Sequence, residues 1–124
     1  MKEVMAIIRI GKMNQTKKAL IDAGISSMTA KECFGRGKGY IEIRLLGLEN
    51  QEYEQRMDDP DSGNHLIPKR LVSIIVPDSL VPIVVEAIMS VNKTGKSGDG
   101  KIFVMPVMDS YQIRSGNHGD ETLD

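Results

Sequence analysis

Residues 71–91 read Leu71-Val72-Ser73-Ile74-Ile75-Val76-Pro77-Asp78-Ser79-Leu80-Val81-Pro82-Ile83-Val84-Val85-Glu86-Ala87-Ile88-Met89-Ser90-Val91. The first six residues form an apolar run too short for a helix, and Pro77-Asp78 stops it, so it reads as a buried strand. Asp78 is placed to cap a helix. In that helix Leu80, Val84, Ala87, Ile88 and Val91 recur at three- and four-residue spacing and line one face. Pro82 falls in the first turn or so, where a missing amide hydrogen costs little. The unit is a buried strand running into an amphipathic helix.

Toward the C-terminus, a glycine-rich turn from Thr94 to Gly100 leads into another buried strand, Lys101 to Val107, and a polar tail of about 108–124 closes the chain. Toward the N-terminus the same unit repeats. Val4 to Arg9 is a short apolar run ending at Gly11. Met13, Thr16, Leu20 and Ala23 then keep helical spacing, with Lys17, Lys18 and Asp22 on other faces and Gly24 placed as a left-handed cap. Met28 to Phe34 is extended in character. Gly35, Gly37 and Gly39, interleaved with Arg36 and Lys38, open a long loop of about 37–67. Within it Ile41, Ile43 and Leu45 alternate with Glu42 and Arg44, which suggests a ribbon. Glu49 to Leu66 is polar and rich in turn residues, so it is expected to be exposed and poorly ordered.

The order is strand, helix, strand, long loop, strand, helix, strand. Each helix joins strands that can lie parallel in one sheet through right-handed crossovers. The expectation is an α+β, ferredoxin-like βαββαβ domain spanning residues 1–124, with a long exposed loop between its halves. A chain of 124 residues supports one core, at a size where assembly often adds burial.

Bulk properties exclude several classes. Sixteen Lys+Arg against seventeen Asp+Glu leave no electrostatic footprint for nucleic acid or an anionic membrane. No apolar stretch approaches the roughly 20 residues of a membrane span, and the N-terminus lacks a signal-peptide pattern. The single cysteine, Cys33, can form neither an intrachain disulfide nor a metal knuckle. A cytoplasmic protein without membrane insertion is expected.

Thr94-Gly95-Lys96-Ser97-Gly98-Asp99-Gly100-Lys101 combines closely approachable backbone, amide donors and two lysines, the chemistry a phosphate requires. It is not a P-loop: that motif's first glycine would fall at Ser90, and the turn follows a helix and precedes a strand, the reverse of the required context. Taken alone, the segment reads equally as an anion cradle or as a flexible turn with solvated lysines.

Thr94, Gly98, Asp99, Gly100, Lys101, Ile102, Phe103 and Val104 reproduce the C-terminal signature of the PII signal-transduction family, which this chain resembles over nearly its whole length. Ala6-Ile7-Ile8, Gly24-Ile25, Met28-Thr29, Phe34-Gly35-Arg36, Pro68-Lys69 and Ile75-Val76-Pro77-Asp78 match as well, and only about Tyr40 to Ile67 does not. The resemblance implies a trimer-forming regulator that reads ATP or ADP and 2-oxoglutarate and carries no chemistry of its own. It places nucleotide between adjacent subunits, with Ile7, Thr29 and Ile75 around the adenine. Gly35, Arg36, Gly98, Asp99, Gly100 and Lys101 then lie near the phosphates, and Arg114 reaches in from the neighbour. It implies that Lys69 pairs with a carboxylate of 2-oxoglutarate, with backbone from Gly35 through Gly37, Lys38 and Gly39, and Gly98, holding the ligand. On the residues alone, Ile7 and Ile75 read as core, and Arg36, Lys69 and Arg114 as surface charges.

Two departures bear on affinity. The family's glutamine that helps hold the Mg2+ bridging ATP and 2-oxoglutarate is Gly37 here, and the family's Arg-Ile-Arg-Thr is Gln112-Ile113-Arg114-Ser115. In the loop, the family's Tyr-Arg-Gly-Ala-Glu-Tyr motif, with its uridylylated tyrosine, is Arg44-Leu45-Leu46-Gly47-Leu48-Glu49. Tyr40 and Tyr53 do not align with the modified residue. The extended loop and the Arg-Ser-Gly-Asn-His-Gly-Asp-Glu tail are similar to the nitrogen-fixation-associated paralogues of the family, second member of the pair. That similarity implies a homotrimer or a mixed complex with a paralogous chain, binding dinitrogenase through the loop and released by 2-oxoglutarate with MgATP. The alternative is a general PII protein controlling glutamine synthetase or an ammonium transporter. A phosphotransferase and a metal-binding trimer are weaker rivals, because His65, His118 and Cys33 offer no ligand spacing and the histidines no paired base.

Overall fold

Alternation builds the sheet. In the first strand, β1 (Lys2–Arg9), Val4, Ala6 and Ile8 are buried while their neighbours are half-buried. β3 (Ile67–Val76) repeats this with Val72, Ile74 and Val76, as a sheet covered on one face requires. The computed structural model describes residues 1–37 and 66–124. It adds α1 (Met13–Asp22), β2 (Thr29–Gly35), α2 (Val81–Asn92) and β4 (Lys101–Pro106). The expected ribbon at Ile41 to Leu45, and Tyr40, Tyr53 and His65, lie outside the described residues.

The strands stand in the order β2-β3-β1-β4, each antiparallel to its neighbours. β1 and β2 therefore run in one direction with β3 between them, and β3 and β4 run in the other with β1 between them. This is the expected ferredoxin-like α+β arrangement, two interlocked strand-helix-strand units. β3 begins at Ile67, earlier than its apolar run, because β2 supplies partners there: Cys33 faces Lys69 and Gly35 faces Ile67. Pro68 is tolerated because β1 stops at Arg9, opposite Lys69, so β3 has a free side beyond that point.

α1 ends as its glycine predicts. Gly24 has φ 86°, its amide bonds the Ile21 carbonyl at 2.9 Å, and the Ile25 amide bonds the Leu20 carbonyl at 2.8 Å. Ile25 then buries itself in the core. Both helices pack on one face, where Leu20, Val84 and Ile88 join Val4, Ala6, Ile8, Val72 and Ile74. Burial of such a side chain is worth roughly 1.5–3 kcal/mol over exposure. Asp78 does not cap α2. A 3-10 turn, Asp78–Leu80, precedes the helix, and the carboxylate instead holds the Met1 amine at 3.1 Å and Lys2 Nζ at 3.4 Å. That amine first, then Lys2, keeps the Asp78 carboxyl below its usual range.

The other face of the sheet carries Met5, Ile7, Leu71, Ile75, Phe103 and Met105, in the register that opposes the buried positions. Ile75 and Phe103 are exposed. The polar residues between them are tied up, since Ser73 Oγ donates to Glu3 Oε2 at 2.6 Å. Among the described residues, no helix is long and apolar enough to cross a membrane.

Candidate functional site

The glycine-rich turn between α2 and β4 is built on Asp99. Its carboxylate accepts from the amides of Thr94 (2.8 Å) and Gly95 (2.9 Å) and from the Thr94 hydroxyl. Arg9, at the end of β1, donates Nη1 to Asp99 at 2.7 Å and Nη2 to the Ser97 carbonyl at 2.8 Å. Lys69, directly across from Arg9 in β3, donates to the Gly98 carbonyl at 3.0 Å. Two cations from adjacent strands therefore pin the turn. The amide of Gly98 has no acceptor among the described residues, and an exposed amide in such a turn can receive an anion.

Two glycines here hold a backbone that strains any side chain, and at Gly100 there is also no room for one. A Cβ on Gly100, at φ 106°, would lie 1.9 Å from the Ile7 carbonyl oxygen. On Gly98, at φ 98°, it would meet Arg9 Nη2 at 3.0 Å. The turn lies this close to β1 because Lys101 enters the ladder opposite Ile7.

The Thr94 hydroxyl above all, with the Thr94 and Gly95 amides and Arg9, holds the Asp99 carboxyl far below the ordinary carboxylate range, against the opposing effect of burial. A depressed folded-state value means that this stabilisation is complete above the unfolded carboxyl's value of about 3.9 and is lost as pH falls through the folded one. We expect the Asp99 side-chain 13C signal to remain that of a carboxylate down to pH 3. A midpoint near 4 would contradict the clamp.

The residues implied by the resemblance fall in two groups. Ile7, Lys69, Gly98, Asp99, Gly100 and Lys101 gather at the turn end of the sheet, where Gly35, Arg36 and Gly37 leave β2 opposite Ile67. Thr29 and Ile75 sit at the other end: Thr29 faces Ser73, and Ile75 faces Glu3, four residues from Ile7 along β1. At about 3.3 Å per residue that is roughly 13 Å. One chain thus does not bring Ile7 and Ile75 side by side. Lys38 and Gly39 lie outside the described residues.

Arg114 stands apart, exposed at the tip of a hairpin in the C-terminal segment. The polar tail carries a hairpin: Tyr111 bridges His118, their rings stack with centroids 5.2 Å apart, and the Gln112 amide bonds the Asn117 carbonyl at 2.8 Å. His118, read as lacking a partner, has one, with Nδ1 3.2 Å from Asp109 Oδ2. The Ser110 amide first, then His118 and the Gly119 amide, lower the Asp109 carboxyl. Gln112, in place of a family arginine, accepts from the Ser115 hydroxyl at 2.7 Å and so helps form the tip.

Sequence reading missed Arg9, which ends an apolar run and looks like a mere boundary. It also missed Asn92, although Asn92 continues the spacing of Val84 and Ile88 and so placed a polar group on the buried face. Among the described residues, no three His, Cys, Asp or Glu side chains gather to hold a metal ion.

The family model described as nitrogen regulatory protein P-II matches residues 1–117. A protein of Methanobacterium ivanovii named nitrogen fixation nifHD region GlnB-like protein 2 is 42% identical over 125 residues, covering 99% of each chain. One of the same name from Methanothermobacter marburgensis is 46% identical over 123 residues, covering 99% of this chain and all of its own. A nitrogen regulatory protein P-II of Azospirillum brasilense is 36% identical over 125 residues, again covering 99% of this chain and all of its own. With the interlocked fold, the signature turn and near full-length identity in agreement, this chain belongs to the nitrogen regulatory protein P-II family.

Proposed function

We propose that this chain is a non-enzymatic sensor of ATP or ADP and 2-oxoglutarate that controls nitrogenase by docking its long loop on dinitrogenase, with 2-oxoglutarate and ATP releasing it. The observation that carries the reading is Lys69. It lies in β3, two residues beyond Ile67 where the loop ends, and donates to the Gly98 carbonyl of the glycine-rich turn. A phosphate on the turn and a carboxylate on Lys69 would sit where both loop ends, Gly35 to Gly37 and Ile67 to Lys69, leave the sheet. Ligand binding there would change the contact that fixes the loop's base, and target binding and ligand binding would weaken each other by equal factors. The nitrogen-fixation names of the relatives that are 42% and 46% identical favour nitrogenase over glutamine synthetase or an ammonium transporter.

The uncovered apolar face of the sheet supports assembly, as homotrimer or with a paralogous chain, since such a face is costly to leave in water. The separation of Ile7 from Ile75 supports a nucleotide seat shared by two copies, each giving a different end of its sheet and one giving Arg114. For Mg2+, Gly37 has no side-chain oxygen and the Asp99 oxygens are occupied by Arg9, Thr94 and Gly95. Gly37 and Asp99 therefore offer magnesium no ligand, and it enters as the counter-ion that ATP carries. The free, half-buried thiol of Cys33 suits a cytoplasmic setting.

The test is calorimetry of 2-oxoglutarate with ATP, with ADP and without nucleotide, followed by capture of dinitrogenase and its release. Binding only with ATP, and release by the two ligands together, are expected; capture of glutamine synthetase instead would move the target. A Cβ at Gly37 meets nothing within 4 Å, so a side chain can leave the backbone there, and Gly37→Gln is expected to tighten 2-oxoglutarate about tenfold through a regained charge-assisted contact. An unchanged affinity would mean that position 37 takes no part.

A further inference from the structure

The C-terminal hairpin buries little. From Met108 to Gly119 every residue except Ser110, Gln112 and Gly119 is exposed, and Met108 and Ile113 are fully so. Its shape rests on bonds within the segment. The Gly119 amide donates to the Ser110 carbonyl at 3.0 Å, the Gln112 amide to the Asn117 carbonyl at 2.8 Å, and Thr122 Oγ1 to Ser110 Oγ at 2.8 Å. A two-stranded hairpin that buries so little is marginal in water, so one side-chain contact shifts its population measurably.

His118 supplies two such contacts. Its ring stacks on Tyr111 at an interplanar angle of 21°. Its Nδ1 lies 3.2 Å from Asp109 Oδ2, while Asp109 Oδ1 accepts from the Ser110 amide at 2.8 Å and the Gly119 amide at 3.1 Å. Asp109 therefore ties together both strands at the base of the hairpin. A proton on the ring strengthens both contacts of His118, because the bond to Asp109 becomes an ion pair and the Tyr111 face attracts a cation. The lowered carboxyl of Asp109 stays ionised, and an imidazole is the side chain that changes charge between about pH 5 and 8, so the ring is the group that switches. The other charged groups of the segment are Arg114 at the tip, Asp120 and Glu121 in the turn that follows, and Asp124, which accepts from the Ser27 hydroxyl at 3.0 Å. Among the described residues none of them bonds the ring, and no bond or ion pair reaches it from outside the segment.

We propose that His118 is a positioning residue for nucleotide binding: its protonation closes the hairpin on Asp109, which presents Arg114 to the phosphates, and ATP affinity therefore rises as pH falls. This rests on the reading in which Arg114 joins the nucleotide seat. The stabilisation is complete while the ring is protonated and is lost as pH rises through its titration. Apparent affinity follows the fraction of chains with the hairpin formed, and an exposed ion pair changes such a fraction by about twofold to fivefold.

The experiment compares ATP affinity, by calorimetry on the full-length protein at about pH 6 and about pH 8, with that of two variants. Asp109→Asn keeps an oxygen for the Ser110 and Gly119 amides but removes the charge. His118→Asn keeps a donor and does not titrate. ATP takes up protons in the same range in every sample, so the quantity read is the difference between proteins. From the higher to the lower pH the unaltered protein should gain about threefold more affinity than either variant. That gain should follow the same midpoint as the His118 ring signals in NMR, and protection of the Gln112 amide from hydrogen exchange, measured without nucleotide, should rise with it. Arg114→Ala should weaken ATP and abolish the extra gain. An equal gain in either variant, an extra gain that survives Arg114→Ala, or Gln112 protection that does not follow His118 each overturns the proposal. ATP bound without the extra gain removes the role of His118 alone, whereas no ATP binding at either pH removes the sensor reading and this proposal with it.

Discussion

Gly100→Ala is expected to lower stability by about 3 kcal/mol or more, the largest effect of an added methyl among the described glycines. Two costs combine. A backbone at φ 106° is strained for any L side chain, worth about 1–3 kcal/mol. The new Cβ would also meet the Ile7 carbonyl oxygen at 1.9 Å, and that oxygen belongs to the central strand, so relief requires β4 to leave its place beside β1. Against a native stability of roughly 5–15 kcal/mol, the loss is a large fraction of the whole. Gly95→Ala is the control: its φ of 83° carries the strain, but nothing lies within 4 Å, so it should cost about 1–2 kcal/mol. Denaturant midpoints of the two variants settle the point, and equal losses would mean that backbone strain alone is at work.

Asp99→Ala should weaken ATP on the order of 100-fold, about 2.7 kcal/mol. A carboxylate beside a phosphate site would ordinarily repel the ligand, and deleting it would then tighten binding. The geometry argues the opposite. Asp99 accepts from two amides, a hydroxyl and a guanidinium, and without it the turn loses the bonds that hold its shape. Arg9→Met should reproduce part of the loss, and a double-mutant cycle should give a coupling of about 1–3 kcal/mol. Tighter ATP binding by Asp99→Ala, or additive losses, would remove Asp99 from this organising role.

The fold was readable because its signals were local. Alternation in Val4 to Ile8 and Leu71 to Val76, the stripe through Leu20, and Gly24 after α1 are each decided within a few residues. What escaped depended on partners distant in sequence. Asp78 has the residue type and position of a helix cap, but the Met1 amine, brought alongside by the pairing of β1 with β3, competes for it and wins. Arg9 and Asp99 are 90 residues apart, and nothing near Arg9 announces its role. His118 and Asp109 look like unconnected tail residues until the hairpin folds back. The glycines and lysines of the turn were legible, because they are a composition; the use of Asp99 within it was not, because that is a geometry.

The strand order has a consequence for how the chain comes into being. β1 is made early, yet both of its hydrogen-bonding neighbours, β3 and β4, lie beyond residue 66. The first 37 residues therefore cannot complete a ladder of their own and, during synthesis, must wait with the apolar stripe of β1 uncovered until the C-terminal half emerges. The same interleaving means that a chain cut between Gly37 and Leu66 would still be held together by its central pair of strands. Two separately expressed fragments, 1–37 and 66–124, should accordingly find each other and reconstitute one domain, whereas neither should be stable alone.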